Sequence, residues 1–176
     1  SKVLAYTKDD KQSFADKLKN YKAQGDLADK VLDNILKKGE EIAREQYAIS
    51  DKGTVINSKG KEVQSSITIS SSKSGNTGKI TSNGTQVAYL EFGTGVNGEK
   101  NGYEGELPTQ PITFTDTSGQ TWTTPGWQYA YRNKQRPDLY PNAFQGQEPR
   151  MQMFNTAKEL REYIKTDLAK DIRKGD

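Results

Sequence analysis

The chain has 176 residues, which is long enough for one ordinary domain and too short for two domains of typical size. Only 31% of the residues are hydrophobic, so a lone monomer would have a thin core, and the balance of 26 basic against 23 acidic residues is less positive than in dedicated nucleic-acid-binding proteins. Histidine and cysteine are both absent, which excludes disulfides, thiol nucleophiles, imidazole bases and nearly every zinc or copper site.

The N-terminal part of the chain has the apolar periodicity of helices. A short amphipathic segment spans residues 13–21, and a Gly-Asp pair follows it, so residues 1–25 are predicted to form an N-terminal arm or short helix. From Asp26, a favourable N-cap, apolar residues recur every three or four positions as far as Ile42, which predicts a long helix. Gly39 disfavours this helix by about 1 kcal/mol relative to alanine, unless close packing requires the missing side chain.

The central part of the chain alternates strand and turn signals. Residues 54–56 form a candidate strand between two turn sequences, and residues 66–70 alternate polar and apolar side chains as a half-buried strand does. Residues 79–82 and 85–92 are predicted to pair as a hairpin around Asn83-Gly84, because Asn-Gly strongly favours a two-residue hairpin turn.

Two polar segments interrupt these strands. Residues 71–78 have the composition of a flexible linker. Residues 97–146 are predicted to be an inserted region of loops, in which residues 112–115 and 120–123 form a β-ribbon that turns at residues 116–119.

The C-terminal segment predicts the last helix. Its apolar face consists of Phe154, Ala157, Leu160, Ile164, Leu168 and Ile172. Thr156 and Glu159 have the spacing of a capping box, and Pro149 marks an alternative, earlier start. We therefore predict one α+β domain over residues 1–176, with a central antiparallel β-sheet, the long N-terminal helix and the C-terminal helix packed on one face of it, and the inserted ribbon and loop region.

The sequence Gly93-Thr94-Gly95-Val96-Asn97-Gly98 matches the G-x-G-x-x-G pattern of dinucleotide-binding loops. Such a loop needs a helix directly after it, whose N-terminal N–H groups hold the pyrophosphate. Residues 99–108 contain glycines, a proline and three carboxylates, so we expect no such helix and no nucleotide cofactor.

The same motif, taken with two later segments, resembles a family of phage proteins. The segments are Glu91-Phe92-Gly93-Thr94-Gly95, then Gly126-Trp127-Gln128-Tyr129, then residues 146–154 with Met153 and Phe154. In this order they resemble the tail-completion or head-to-tail joining proteins of long-tailed bacteriophages, which are similar to minor tail protein Z. The resemblance covers roughly residues 26–172, and the Glu-Phe-Gly-Thr-Gly turn is its specific part.

The resemblance implies a structural virion protein that is not an enzyme and has no cofactor or metal. It implies a homo-oligomeric ring, a hexamer by preference, which surrounds the DNA channel of the neck and touches head-closure, tail-terminator and tail-tube proteins. The expected location is the virion neck, after assembly in the host cytoplasm. No apolar run reaches the roughly 20 residues that span a bilayer, so no membrane contact is expected.

Several residues are candidates for interfaces, turns or DNA contact. Those at subunit contacts or turns are Glu91, Phe92, Gly93, Thr94, Gly95, Trp127, Tyr129, Met153 and Phe154, and those facing the DNA are Arg132, Lys134 and Arg136. We expect Glu91 to bond to the Gly-Thr-Gly amides or to pair with an arginine of another subunit, since no second catalytic group can be matched with it. We expect the glycines to supply positive φ angles or close chain approach.

A different class of function stays open for one segment. Residues 127–140 interleave aromatic and basic side chains, as proteins that bind single-stranded nucleic acid do. The alternative to a neck protein is therefore a β-rich module that binds nucleic acid or a surface ligand through this segment, although aromatic residues in an apolar-poor chain also serve as interface anchors.

Overall fold

The first element is one continuous helix. In the computed structural model, which describes residues 8–84, 86–115, 119–127 and 145–174, helix α1 spans Lys8–Gln46. Residues 8–25, for which an arm or short helix was predicted, continue directly into the rest of α1, because one glycine among good helix formers weakens a helix without ending it. Neither α1 nor any other helix in these ranges is apolar enough over a sufficient length to cross a membrane.

The strands form three antiparallel pairs among the described residues. They are β1 (Thr54–Ile56) with β2 (Glu62–Gln64), β3 (Thr68–Ser74) with β4 (Thr77–Asn83), and β5 (Ile112–Thr115) with β6 (Thr121–Thr124). The predicted α+β class is confirmed. The strands divide into small two-stranded sheets where one central sheet was expected. The strands at residues 54–56 and 112–115 are observed as predicted, and the return strand predicted at residues 120–123 is observed one residue later, while residues 116–118 of the predicted turn lie outside the described residues.

The central hairpin is displaced relative to the prediction. Ser74 pairs with Thr77, so Gly75 and Asn76 form the two-residue turn, and Gly75 has the positive φ of 55° that such turns favour. The segment predicted as a linker at residues 71–78 therefore belongs to the hairpin. After Asn83 the chain enters helix α2 (Val87–Phe92) where a strand was predicted, because tertiary contacts override the weak strand propensity of a short segment.

The remaining helices are short or C-terminal. Helix α3 spans Gly95–Lys100, α4 spans Gln152–Thr166, and α5 spans Leu168–Lys174. The predicted C-terminal helix is thus confirmed, although it is divided at Asp167.

The main core lies where α1 contacts the β3–β4 hairpin and α4. Its buried residues are Leu36, Ile42, Ala43, Tyr47, Ile49 and Leu168. A Cβ atom at Gly39 would lie 2.0 Å from Cδ1 of Ile80 and 3.1 Å from Cδ2 of Leu160, so hairpin and α4 meet at this glycine. Close packing therefore accounts for the glycine in the middle of the helix.

A second, smaller core surrounds Trp127, of which only 8% is exposed. Tyr89 and Phe92 from α2 pack on the indole, together with Leu107 and Ile112. Helix α2, which carries Tyr89 and Phe92, contacts α4 and thus connects the two cores.

The two glycines of α1 should respond in opposite directions to alanine. We expect Gly39→Ala to lower the free energy of unfolding by about 1–3 kcal/mol, because the new methyl group overpacks the contact with Ile80 and Leu160. Gly25→Ala, where no atom lies within 4 Å of the added Cβ, should instead raise it by about 0.5–1 kcal/mol. Urea unfolding followed by circular dichroism in dilute solution measures both, and equal effects would contradict the proposed packing.

Candidate functional site

The first turn of α4 has no side-chain cap of its own. Met151 is the N-cap residue, with φ 54° and ψ 35°, and its side chain makes no capping hydrogen bond. The predicted capping box is wrong, because Thr156 lies inside the helix, where its hydroxyl donates to the carbonyl of Gln152 at 2.7 Å. The first N–H groups of a helix require acceptors from elsewhere when they are buried.

Glu91 supplies those acceptors from a distant part of the chain. Its Oε2 accepts the N–H of Met153 at 2.8 Å, and its Oε1 accepts the N–H of Phe154 at 2.9 Å. The hydroxyl of Tyr103 donates to Oε1 as well, at 2.9 Å. Because Glu91 is only 5% exposed, these charge-assisted bonds and the positive end of α4 replace the water that the carboxylate loses.

This geometry corrects the expected role of Glu91. Its carboxylate accepts hydrogen bonds from α4 and Tyr103, where bonds to the Gly-Thr-Gly amides or a pair with an arginine of another subunit were predicted. Helix α2 carries the carboxylate to this position, and two further bonds hold α2 in place. The N–H of Arg150 donates to the carbonyl of Leu90 at 2.7 Å, and Nε2 of Gln147 donates to the carbonyl of Tyr89 at 2.9 Å.

The Gly-Thr-Gly turn binds the segment that precedes α4. Thr94 and Gln147 exchange two backbone hydrogen bonds, of 2.8 and 3.0 Å. Gly93 and Gly95 have φ values of 78° and 63°, and a Cβ at Gly93 would lie 2.7 Å from the nitrogen of Pro149. The prediction that the glycines supply positive φ or close chain approach is confirmed, since both have positive φ and Gly93 also lies in a close approach.

We call the contact between residues 89–97 and residues 145–154 the helix joint. Gly146 completes it, since its φ is 64° and an added Cβ would lie 2.0 Å from the carbonyl oxygen of Thr94. A side chain at this position would therefore push the two chain segments apart.

The absence of a helix after Gly-Thr-Gly was predicted incorrectly, because α3 begins at Gly95. Its six residues follow helix α2, however, and no strand precedes the turn as a dinucleotide-binding loop requires. The N–H of Asn97 in its first turn donates to the carbonyl of Gln145 at 2.9 Å, so a group that would bind phosphate is used within the helix joint.

Aromatic rings continue outward from the helix joint. The ring of Phe92 lies 5.1 Å from that of Trp127 and 5.0 Å from that of Tyr103, and Tyr103 lies 5.6 Å from Phe154. Burial, followed by the hydrogen bond and the charge of Glu91, raises the pKa of Tyr103 well above its usual value. Tyr103 therefore remains a neutral donor to Glu91 at physiological pH.

The described residues account for part of the predicted site. Glu91, Gly93, Thr94, Gly95, Met153 and Phe154 meet in the helix joint, and Phe92 and Trp127 pack beside it. Tyr129, Arg132, Lys134 and Arg136 lie outside the described residues. Sequence reasoning missed Tyr103, which lies in a loop without a recognisable pattern, and the pairing role of Gln147.

The described ranges contain no group of three acidic residues placed to hold a metal ion. No protein-family model, no curated protein and no solved structure matches the chain.

Replacing Glu91 by glutamine should destabilise the fold. The amide loses the negative charge at the α4 N-terminus and directs an NH₂ group toward backbone donors, so we expect Glu91→Gln to lower the free energy of unfolding by about 2 kcal/mol. The matched change at the exposed Glu106 should stay within about 0.5 kcal/mol of the parent. Chemical denaturation at neutral pH measures both, and equal effects would contradict the capping role.

Gly146→Ala tests the close approach of the two segments. The methyl group would overlap the Thr94 carbonyl and requires an unfavourable positive φ, so we expect a loss of about 3 kcal/mol or more. Gly60 is a matched control with a φ of 72° and no atom within 4 Å of an added Cβ, and Gly60→Ala should lose only about 1 kcal/mol. Thermal unfolding of the two variants side by side measures the difference, which should vanish if the joint is loose.

Proposed function

We propose that this chain is a structural subunit of a phage neck, of the tail-completion or head-to-tail joining type, which assembles as a ring around the DNA channel. One observation carries the proposal: two segments of the resemblance, its specific turn Glu91–Gly95 and residues 146–154, form a single contact in the fold. The segments are separated by about 50 residues of sequence, so their contact supports treating them as parts of one structural unit rather than as chance matches.

The chemistry of the helix joint favours a structural role over catalysis. Both oxygens of Glu91 are occupied by Met153, Phe154 and Tyr103. A general base must lie within reach of a substrate, and Glu91 is only 5% exposed, while a nucleophile needs a partner that activates it. A buried carboxylate whose acceptors serve the scaffold fits a protein that holds shape, and we therefore propose a non-enzymatic function.

Ring assembly also fits the exposed apolar surface of the subunit. Ile56, Val63 and Ile164 are between 39% and 67% exposed. In the proposed ring, neighbouring subunits and adjacent neck or tail proteins cover part of this surface. Lysine and arginine side chains would face the passing DNA without recognising its sequence, and Arg132, Lys134 and Arg136 remain the candidates.

Electron microscopy and mass determination test the neck role. The purified protein is mixed with tail tubes from an assembly mutant that lacks this subunit, and we expect rings or density at one end of each tube. Tubes from complete virions serve as the control, because their ends are already occupied and should gain nothing. A protein that ignores the incomplete tubes and forms no ring would contradict the proposal and would direct attention to ligand binding by residues 127–140.

A further inference from the structure

The N-terminal half of α1 carries an apolar groove. It is lined by Gln24, Leu27, Ala28, Val31, Leu32 and Ile35 of α1, together with Asn76 of the β3–β4 turn. The groove has a volume of about 430 Å³, and Leu27 is 53% exposed. This apolar stripe extends beyond the core, and Leu27 and Ala28 are exposed in the described part of the chain.

An acidic edge borders this groove. Asp26, Asp29 and Asp33 follow one another at helical spacing, and the side chains of Asp29 and Asp33 are 62% and 64% exposed. Lys73 pairs with both of these, at 3.5 and 2.7 Å, and Lys30 is the one basic residue within residues 26–33. A partner that fits the groove should therefore combine apolar residues with positive charge.

Such a sequence exists in α1 itself. Residues 17–22 contain three lysines and no acidic residue, together with Leu18 and Tyr21. Because α1 is one unbroken helix over Lys8–Gln46, residues 17–22 lie farther along the same axis and cannot turn back to the groove of their own chain. Only a second copy can bring this segment to the groove.

We propose that two copies of the chain pair through the N-terminal halves of their α1 helices, antiparallel and about a two-fold axis near Gln24. This arrangement places Lys19 of each copy near Asp29 of the other, and one contact fills both grooves. A parallel pairing in register would set aspartates against aspartates, which repel. The pairing is isologous and differs from the head-to-tail contacts of a ring, so the inference stands independently of the neck role.

Sedimentation equilibrium of the full chain tests the pairing. We expect a dimer with a Kd on the order of 10 μM that weakens as salt is raised, since charge pairs contribute to it. Leu27→Gln should weaken the dimer at least about tenfold, because each dimer buries two copies of this side chain. Ile56→Gln, the same kind of change at an exposed residue of β1, should leave the Kd unchanged.

Charge reversal tests the orientation. One variant carries Asp26→Lys and Asp29→Lys, while Asp33 keeps its pair with Lys73, and the other carries Lys19→Asp and Lys22→Asp. Each variant alone should be monomeric at concentrations where the parent is dimeric, and an equimolar mixture should restore the dimer. A monomeric parent chain, a dimer that Leu27→Gln does not affect, or a mixture that stays monomeric would overturn the proposal.

Discussion

The fold depends on one buried carboxylate at the start of α4. Glu91 must be matched by donors because it is removed from water, and the first amides of α4 must be matched by acceptors because Met151 provides none. Each requirement is met by the other. The hydrogen bonds between Glu91 and these amides fix the start of α4. They therefore also fix the direction of the helix, whose Leu160 packs against Gly39 of α1. Helix α2 positions Glu91 for these bonds, so its helical form is part of the same arrangement.

Polar contacts, rather than a large core, determine how the parts of this chain are arranged. Hydrophobic burial has no preferred direction, and the apolar residues are divided between the α1 core and the cluster around Trp127. The hydrogen bonds between Thr94 and Gln147 and between Leu90 and Arg150 have strict geometry, so they specify the register of the two segments. A chain with few apolar residues obtains a unique structure in this way, since buried polar networks allow few alternatives.

Elements that depend on interactions between residues close in sequence could be predicted. Features that depend on contacts between distant residues could not. The helices α1 and α4, the strand β1 and the β5–β6 ribbon follow from periodicity and turn residues within a few positions, and the positive φ angles of Gly93 and Gly95 are properties of single residues. The cap of α4 joins Glu91 to amides more than 60 positions away. A contact at that distance leaves no local sequence pattern, so the prediction relied on the spacing of Thr156 and Glu159. The prediction also placed the hairpin turn at Asn83-Gly84, whereas the structure has it at Gly75-Asn76. Turn propensity alone does not choose between neighbouring turns.

The helix joint is held by bonds within the chain, whereas the groove on the N-terminal half of α1 is proposed to bind a partner. The two features lie on different parts of the structure. The oxygens of Glu91 are bound to groups of the same chain, so association with a partner needs no exchange of these bonds and no buried charge is exposed by it. The apolar groove lies on a helix whose backbone is already ordered. A partner that binds there would avoid most of the entropy loss that ordering a loop requires. The apolar area buried in the groove would therefore contribute more fully to the binding free energy. The proposed associations would therefore leave the internal geometry of the helix joint unchanged.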